Sequence, residues 1–332
     1  MKRREFDESD VRVRPGKRSR PRSKIRPEHR DAQQAMVISV DRGRWGCVLE
    51  SGTGQLVTAM RARELGRTPI VVGDRVSVVG DRSGQPGTLA RIVRLEERSS
   101  VLRRTADDTD PFERIVVANA TQLLIVVAAA EPTPRTGFVE RALIAAYAGG
   151  IAPILGVTKG DIADASSFAA HFAGLDLPIV QCGIADSLEV LSDLLDGEIT
   201  ALLGHSGVGK STLVNRIVPD ADRATGAVTG VGKGRHTSSQ SVALKLPRHD
   251  HSSWVIDTPG VRSFGLAHIS ADDVLDAFAD LMDAVEECPR GCGHLGAPED
   301  PECALDELES ASYARAMAVR RLLAALRTNE AW

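Results

Sequence analysis

The feature that most constrains the fold is a glycine-rich segment between an apolar stretch and a helical pattern. Residues 204–211 read GHSGVGKS and match G-x-x-x-x-G-K-S, with ITALL before them and TLVNRIV after them. Between a strand and a helix, such glycines let backbone N–H groups surround a phosphate. The segment therefore predicts a phosphate-binding loop, and a turn without ligand is the alternative. The residues expected to contact the nucleotide are Gly204, His205, Ser206, Gly207, Val208, Gly209, Lys210, Ser211 and Thr212.

Two side chains of this loop have predicted chemical roles. Lys210 is expected to reach the β- and γ-phosphates and to assist catalysis there, and Ser211 to place its hydroxyl on Mg²⁺. His205 stands at a free position of the motif, so we expect it to fill space rather than to act as a catalyst.

A second segment is expected at the γ-phosphate. The apolar strand SWVID ends at Asp257, and DTPG occupies residues 257–260. The strand would deliver Asp257 beside Mg²⁺, and the backbone N–H of Gly260 would meet the γ-phosphate. D-x-x-G is common by chance, so its weight comes from the strand before it. The two segments together leave ATP and GTP open.

A third segment distinguishes the bases. Residues 158–161 read TKGD and follow the apolar strand APILGV. The Asp161 carboxylate would accept hydrogen bonds from N1–H and the 2-amino group of guanine, a donor pair that adenine lacks. Lys159 would lie along the ring face. Guanine sites usually read N-K-x-D, so Thr158 puts one hydrogen bond near the base edge in doubt, and a polar turn at a strand end is the alternative.

The strand after TKGD ends in another candidate base contact. Cys182 and Gly183 follow PIVQ at the place where a Ser-Ala pair would offer a backbone N–H to guanine O6. Taken alone, Cys182 also fits a buried small residue.

The order of these segments is unusual. TKGD comes before the phosphate loop and DTPG comes last, whereas ordinary small GTPases place the phosphate loop first. Strand and helix patterns alternate through residues 113–265, which predicts a parallel sheet with helices on both faces. Strand neighbours rather than chain order make such a core, so the sequence predicts an α/β P-loop GTPase domain that is circularly permuted. DTPG then leads directly into the C-terminal segment, which GTP hydrolysis could shift as a unit.

The N-terminal third has a different character. Residues 1–31 are rich in Arg, Pro and Ser and predict a disordered basic tail. Residues 32–104 contain five short strand patterns separated by glycine turns, which fit an OB-like β-barrel. These two parts carry net charges of +6 and +5, whereas the remaining residues carry −15. A basic N-terminal part joined to an acidic remainder favours nucleic acid as the partner of the basic part. The residues that could face the nucleic acid are Arg42, Arg44, Arg61, Arg63, Arg75 and Trp45. For Trp45, a stacking platform for bases and a position in the barrel core are equal alternatives.

The C-terminal part contains a candidate metal site. Cys288, Cys292, His294 and Cys303 offer three thiolates and one imidazole within 16 residues. A closed set of four such ligands suits one structural zinc ion, and unrelated core cysteines are the alternative. A helix is expected from Ser270 to about residue 287, and a last helix over 305–327. The predicted domains are thus the tail 1–31, the barrel 32–104, the GTPase domain 105–265 and a zinc-binding helical domain 266–332.

The chain resembles the circularly permuted small-ribosomal-subunit biogenesis GTPases of the RsgA (YjeQ) family over roughly residues 35–310. The resemblance rests on the barrel, the permuted motif order, GRHT at 234–237, VRSF at 261–264 and the Cys/His cluster. It implies a cytoplasmic, monomeric GTPase that binds GTP, GDP and Mg²⁺. It also implies a protein that binds the small ribosomal subunit and its rRNA late in assembly, is stimulated by it and leaves after hydrolysis.

The residue that handles the attacking water must differ from that of many GTPases. The position after D-x-x-G often carries Gln, but here it is Val261, which cannot hydrogen-bond. His236 is the candidate, since an imidazole can position water or accept its proton, and the resemblance also points to it. Thr237 is the expected Mg²⁺ ligand of the same segment, with Ser238 and Ser239 as alternatives. A loop histidine without a role remains the rival interpretation of His236.

Two other functions remain open at this stage. A P-loop phosphotransferase would need a second substrate pocket, which the sequence does not indicate. An RNA-binding scaffold with a degenerate nucleotide site is favoured by Thr158. The longest apolar run has eight residues, far below the ~20 of a membrane span, and no secretory signal is recognisable, so we expect no membrane contact.

Overall fold

The computed structural model describes residues 29–51, 54–105, 114–219, 241–247, 253–258 and 266–327. The chain divides into a unit of residues Met1–Asp31 and a unit of residues Ala32–Trp332, and every described helix and strand belongs to the second unit. The predicted disorder of the tail concerns residues that lie almost wholly outside the described part.

The first strands of this unit close into a barrel. β1 pairs with β2, β2 with β3, β3 with β5, and β5 with β4, and β4 returns to β1. The alternation of the strands turns one set of side chains inward, including Val37, Cys47 and Ile92, all of which are fully buried. The OB-like barrel predicted from the sequence is confirmed. Its strands are β1 (Gln33–Asp41), β2 (Arg44–Leu49), β3 (Leu56–Arg61), β4 (Arg75–Gly80) and β5 (Ala90–Leu95).

Trp45 belongs to the core of this barrel. Its side chain is buried, and its indole N–H donates to the Ile70 carbonyl at 3.1 Å. The Arg61 guanidinium lies 5.8 Å from the ring centroid. The stacking-platform interpretation of Trp45 is therefore wrong and the core interpretation is right.

A short hairpin, β6 (Val101–Arg104) and β7 (Arg114–Ala118), precedes the second sheet region. There the strand order is β10-β9-β8-β11-β13-β12, with every pair parallel except β12 and β13. This arrangement confirms the predicted parallel sheet. The strands are β8 (Gln122–Ala128), β9 (Ala152–Thr158), β10 (Ile179–Gln181), β11 (Ile199–Gly204), β12 (Val242–Lys245) and β13 (Trp254–Asp257).

The topology explains how the permuted order still makes one site. β8 lies between β9 and β11, and β13 lies on the other side of β11. Parallel strands end at the same edge of a sheet, where α/β proteins bind their ligands. Thr158, Gly204 and Asp257 are the last residues of three of these strands, so the three predicted motifs begin at one edge.

The helices near the sheet follow the predicted pattern, but the C-terminal ones differ from it. α1 is Thr136–Ala148, α2 is Ser166–Ala170, α3 is Glu189–Leu194 and α4 is Lys210–Ile217. The helix expected from Ser270 to residue 287 is interrupted. The segment forms α5 (Ala271–Leu275), a 3₁₀ turn (Ala279–Leu281) and α6 (Met282–Glu286), and the last helix, α7 (Ser310–Arg327), begins five residues later than expected.

The interruption has a packing cause. Ser270 and Asp273 form the predicted capping box at the start of α5. Phe278 then leaves the helical conformation, with φ −116° and ψ 68°, and its buried ring lies 4.9 Å from the Tyr147 ring of α1. Burial of this aromatic ring outweighs the weak preference for a continuous helix.

One core joins the barrel, the sheet and the C-terminal helices. Met36 and Ile38 of the barrel, Leu123 of β8 and Leu322 of α7 belong to the same cluster of buried side chains. None of the described helices is both long and apolar enough to span a membrane.

Candidate nucleotide site and metal centre

The phosphate loop has the geometry that its sequence predicts. β11 ends at Gly204 and α4 begins at Lys210, so residues 205–209 form the turn between them. Gly209 precedes the helix with φ 91°, a left-handed conformation that favours glycine. A methyl group at Gly209 would also lie 3.6 Å from the Thr158 hydroxyl. Ser211 and Thr212 are exposed on the first turn of α4.

Thr158 connects the base-reading segment to the phosphate loop. Its hydroxyl oxygen lies 2.5 Å from the Val208 carbonyl oxygen and 3.1 Å from that of Val127. A hydroxyl has one proton and donates to one acceptor at a time, and the shorter distance assigns it to Val208. The threonine hydroxyl therefore joins the end of β9 to the phosphate loop, and the hydrogen bond near the base edge is a separate question.

Lys159 and Asp161 lie in the turn after β9. Lys159 has φ 57°, and its ammonium donates to the Glu131 carbonyl in the loop after β8. The Ile162 amide donates a hydrogen bond to the Lys159 carbonyl at 3.0 Å, which closes the turn. Asp161, within this turn, is exposed. Asp161 thus stands on the same edge of the sheet as the phosphate loop, which is the placement that guanine reading requires.

The segment after β10 forms a closed turn. The Gly183 amide donates to the Asp186 carboxylate at 2.7 Å, and the Asp186 amide donates to the Gly183 carbonyl at 3.1 Å. Arg216 of α4 donates to the carbonyls of Gly183 and Asp186. The Gly183 amide proposed for guanine O6 is thus already paired within the protein. Cys182 is a buried small residue, and burial raises the pKa of its thiol to about 12.

Lys210 and Asp257 meet directly. The Lys210 ammonium donates to the Asp257 carboxylate and, at 2.6 Å, to the Thr258 carbonyl. The Thr258 hydroxyl in turn donates to the Leu202 carbonyl of β11. β13 therefore delivers Asp257 to the phosphate loop, as the sequence predicts.

His205 packs against α1. Its ring centroid lies 4.1 Å from that of Phe138, and its Nε2 is buried without a hydrogen-bond partner among the described residues. Burial lowers the pKa of His205, and the nearby Arg135 lowers it further. This packing agrees with the space-filling role expected for His205.

Several predicted site residues lie outside the described residues. They are His236, Thr237, Ser238, Ser239, Gly260 and Val261.

The four predicted metal ligands come together in the C-terminal part. The ligand atoms of Cys288, Cys292, His294 and Cys303 all lie within 4.8 Å of one another. The Sγ atoms of Cys288 and Cys303 are 4.0 Å apart, close to the about 3.8 Å that tetrahedral Zn–S bonds impose. His294 Nδ1 is buried and has no hydrogen-bond partner in the described part of the chain, as a metal-binding nitrogen requires. The set fits a four-coordinate metal ion.

The segment between His294 and Cys303 supports the ligand set. The carboxylate of Asp300 accepts hydrogen bonds from the amides of Gly293 and Leu295, at 2.9 and 3.0 Å. These amides flank His294, whose own amide donates to the Cys292 sulfur at 3.3 Å. Asp300 therefore fixes the backbone that carries the imidazole.

Arg320 of α7 also contacts residues of this site. Its guanidinium donates to the His294 carbonyl at 3.1 Å and to the Asp306 carboxylate at 2.6 Å. Burial alone would lower the pKa of Arg320, but Asp306 and the neighbouring Cys303 raise it above its usual value. A cation beside the thiols offsets the negative charge that bound thiolates carry.

Comparison with known proteins decides the family. The sequence profile described as RsgA GTPase matches residues 95–267. The Gemmatimonas aurantiaca protein named small ribosomal subunit biogenesis GTPase RsgA is 34% identical over 82% of this chain and 89% of its own length. A Pseudomonas savastanoi pv. phaseolicola protein of the same name is 35% identical over 71% of this chain and 68% of its own. The chain belongs to the RsgA GTPase family.

Solved structures agree on the fold. YjeQ from Thermotoga maritima aligns with a TM-score of 0.60 and 24% identity over 89% of this chain and 98% of its own. The structure described as YloQ, a circularly permuted GTPase, aligns with a TM-score of 0.60 and 20% identity over 91% and 98%. This RsgA-family chain thus has a circularly permuted GTPase fold with an N-terminal barrel. Its membership of the RsgA GTPase family gives its activity as GTP hydrolysis.

Four residues of this RsgA-family GTPase escaped the sequence analysis. All four act through contacts with backbone atoms of other residues, and they are Asp186, Arg216, Asp300 and Arg320. Their residue types occur throughout the chain and match no motif, so only the folded backbone reveals them.

Proposed function

We propose that this chain binds GTP where TKGD meets the phosphate loop and hydrolyses it as an assembly factor of the small ribosomal subunit. The observation that carries the proposal is the hydrogen bond from the Thr158 hydroxyl to the Val208 carbonyl. It joins the base-reading and phosphate-binding segments, which the sequence encodes in inverted order. The partner is inferred from relatives, which are named for biogenesis of the small ribosomal subunit.

Different residues would contact different parts of the nucleotide. Asp161 would accept the guanine N1–H and 2-amino protons, and Lys159 would lie along the ring. Lys210 would exchange its contact with Asp257 for the β- and γ-phosphates, which carry more charge. Ser211 would hold Mg²⁺ together with Thr237, and the ion would neutralise phosphate charge. Phosphoryl transfer needs mainly this positioning and charge compensation.

Water activation falls to the segment around position 236. We assign His236 as the residue that orients the attacking water, because Val261 offers no hydrogen bond and the family resemblance agrees. Gly260 would give its backbone N–H to the γ-phosphate. These assignments come from the sequence.

The flanking parts would hold the ribosomal particle. The barrel carries the arginine-rich N-terminal charge, which suits rRNA phosphates. The ligand set of Cys288, Cys292, His294 and Cys303 is closed, so one zinc ion would serve there as a structural element rather than as a catalyst. We expect a monomer that acts in the cytoplasm.

Nucleotide binding and turnover test the proposal together. The purified chain should bind GDP and a non-hydrolysable GTP analogue and discriminate against ATP. Small subunits should accelerate phosphate release, whereas large subunits at equal concentration, an rRNA-containing control, should not. A phosphorylated product other than inorganic phosphate would instead indicate a phosphotransferase. Binding without subunit-stimulated release would indicate a scaffold.

A further inference from the structure

We propose that Arg216 is a positioning residue for guanine recognition, acting through the turn Gly183–Asp186. The inference rests on the proposed function, since it concerns the base pocket of that same site. Arg216 donates to the Gly183 carbonyl through one terminal nitrogen and to the Asp186 carbonyl, at 2.7 Å, through the other. No sequence motif assigns this residue a role.

The turn that Arg216 holds is otherwise closed on itself. Gly183 donates its amide to the Asp186 carboxylate at 2.7 Å and accepts the Asp186 amide at 3.1 Å. Both polar groups of Gly183 are therefore engaged. The amides of Ile184 and Ala185 have no acceptor among the described residues. The turn thus offers these two amides, rather than that of Gly183, to guanine O6.

The turn lies in backbone contact with the base-reading segment. A methyl group at Gly183 would come 3.1 Å from the Lys159 amide nitrogen and 3.0 Å from the Asp186 carboxylate. The spacing leaves little room for the turn to shift toward Lys159. The position of the turn relative to Asp161 therefore depends on the contacts that hold the turn, and the two hydrogen bonds from Arg216 are among them.

Arg216 also links the two halves of the nucleotide site. It belongs to α4, which begins at Lys210. Arg216 is six positions after Lys210, or about 9 Å further along the helix axis. The same helix therefore has Lys210, the expected phosphate-binding residue, at its start and Arg216, which holds the turn Gly183–Asp186, near its end. A guanidinium is well suited to this role because its planar group can donate hydrogen bonds to two carbonyls at once, whereas an ammonium is a compact point charge.

The test compares nucleotides that differ in single guanine groups. 6-Thioguanosine diphosphate replaces O6 with a weaker acceptor, and IDP lacks the 2-amino group that Asp161 reads. Arg216→Gln should weaken GDP binding about tenfold, the loss of one to two charge-assisted hydrogen bonds. It should also reduce the preference for GDP over 6-thioguanosine diphosphate. The preference for GDP over IDP should stay unchanged, because Asp161 is left in place.

Two further variants make the result decisive. Arg216→Lys keeps the charge and should be intermediate in both measurements. Arg321→Gln removes a guanidinium that donates to the His171 carbonyl at 2.9 Å, away from the base turn, and should leave all three affinities unchanged. If Arg216→Gln does not fold, the ratios in Arg216→Lys decide instead.

Unchanged GDP affinity, or an equal loss for all three nucleotides, overturns the positioning role. Failure of the proposed function looks different, because the unmodified chain would then show no preference for guanine nucleotides over ATP.

Discussion

The Thr158 hydroxyl lies 2.5 Å from the carbonyl oxygen of Val208, and this contact makes one pocket of two loops. Thr158 ends β9 and Val208 lies in the loop after β11, with β8 between the two strands. The contact therefore spans the width of one strand at the edge where the nucleotide is proposed to bind. Thr158 is buried, so the hydrogen bond is shielded from water.

Removing the hydroxyl should loosen the junction between the two loops. Thr158→Val keeps the shape of the side chain but leaves the Val208 carbonyl without its donor, at a cost of about 1 kcal/mol. We expect GDP affinity to fall roughly fivefold, measured by calorimetric titration. Thr200→Val is the matched control, because it removes a buried hydroxyl that bonds Gln122 at 3.0 Å near the start of β11. Equal affinity loss in both variants would argue against a specific junction.

The base preference should follow the side chain at position 161. Asp161→Asn replaces an acceptor with a donor, so it should weaken GTP and favour xanthosine triphosphate, whose C2 carries an acceptor in place of the amino group. Competition binding between the two nucleotides measures the switch. Asp164→Asn, a nearby exposed carboxylate that accepts the Ser166 amide at 2.9 Å, should change neither affinity. An unaltered preference in Asp161→Asn would refute the assigned role.

Acid should lower the stability of the folded chain through His205. Burial and Arg135 lower the pKa of this imidazole, so the unfolded chain binds the proton more readily than the folded one. The neutral imidazole therefore contributes its full stabilisation to the folded chain above the ordinary histidine pKa of about 6.5. This contribution is lost as pH falls below that value. We expect the free energy of unfolding to drop as pH falls from about 7 to 5.5, measured by denaturant unfolding, and His205→Asn to reduce that drop. His171→Asn should keep the drop, and a profile unaffected by His205→Asn would disprove the link.

The sequence predicted the parts of the site that short motifs encode. It did not predict the residues whose roles depend on backbone groups that only folding brings close. The phosphate loop, TKGD and Asp257 each follow an apolar strand, so their placement at one edge follows from strand direction alone. Asp186 and Arg216 hold a turn through carbonyl and amide groups whose positions exist only after folding. The break at Phe278 likewise depends on a ring from another helix.

Catalysis should be separable from binding at position 236. His236→Ala should retain GTP affinity while subunit-stimulated turnover falls by about 10²–10⁴-fold, the usual contribution of a group that positions or deprotonates water. Single-turnover phosphate release measures the chemical step, and titration with a GTP analogue measures binding. His171 follows α2 and pairs with Glu140 of α1 at 2.7 Å, and the control variant His171→Ala should turn over normally. Normal turnover in His236→Ala would clear that residue of involvement.

The metal centre should depend on the Arg320 brace. Arg320→Met leaves Asp306 without its partner and removes the donor to the His294 carbonyl, so we expect a stability loss of about 2 kcal/mol. Zinc release to a chromogenic chelator should also become faster, because the backbone that carries the imidazole is no longer held. Arg315→Met is the control, since Arg315 lies on the same helix as Arg320 but pairs with Asp176 and, at 3.1 Å, with Asp280. It should lower the melting temperature without changing the release rate, and equal release rates in both variants would assign Arg320 to general packing.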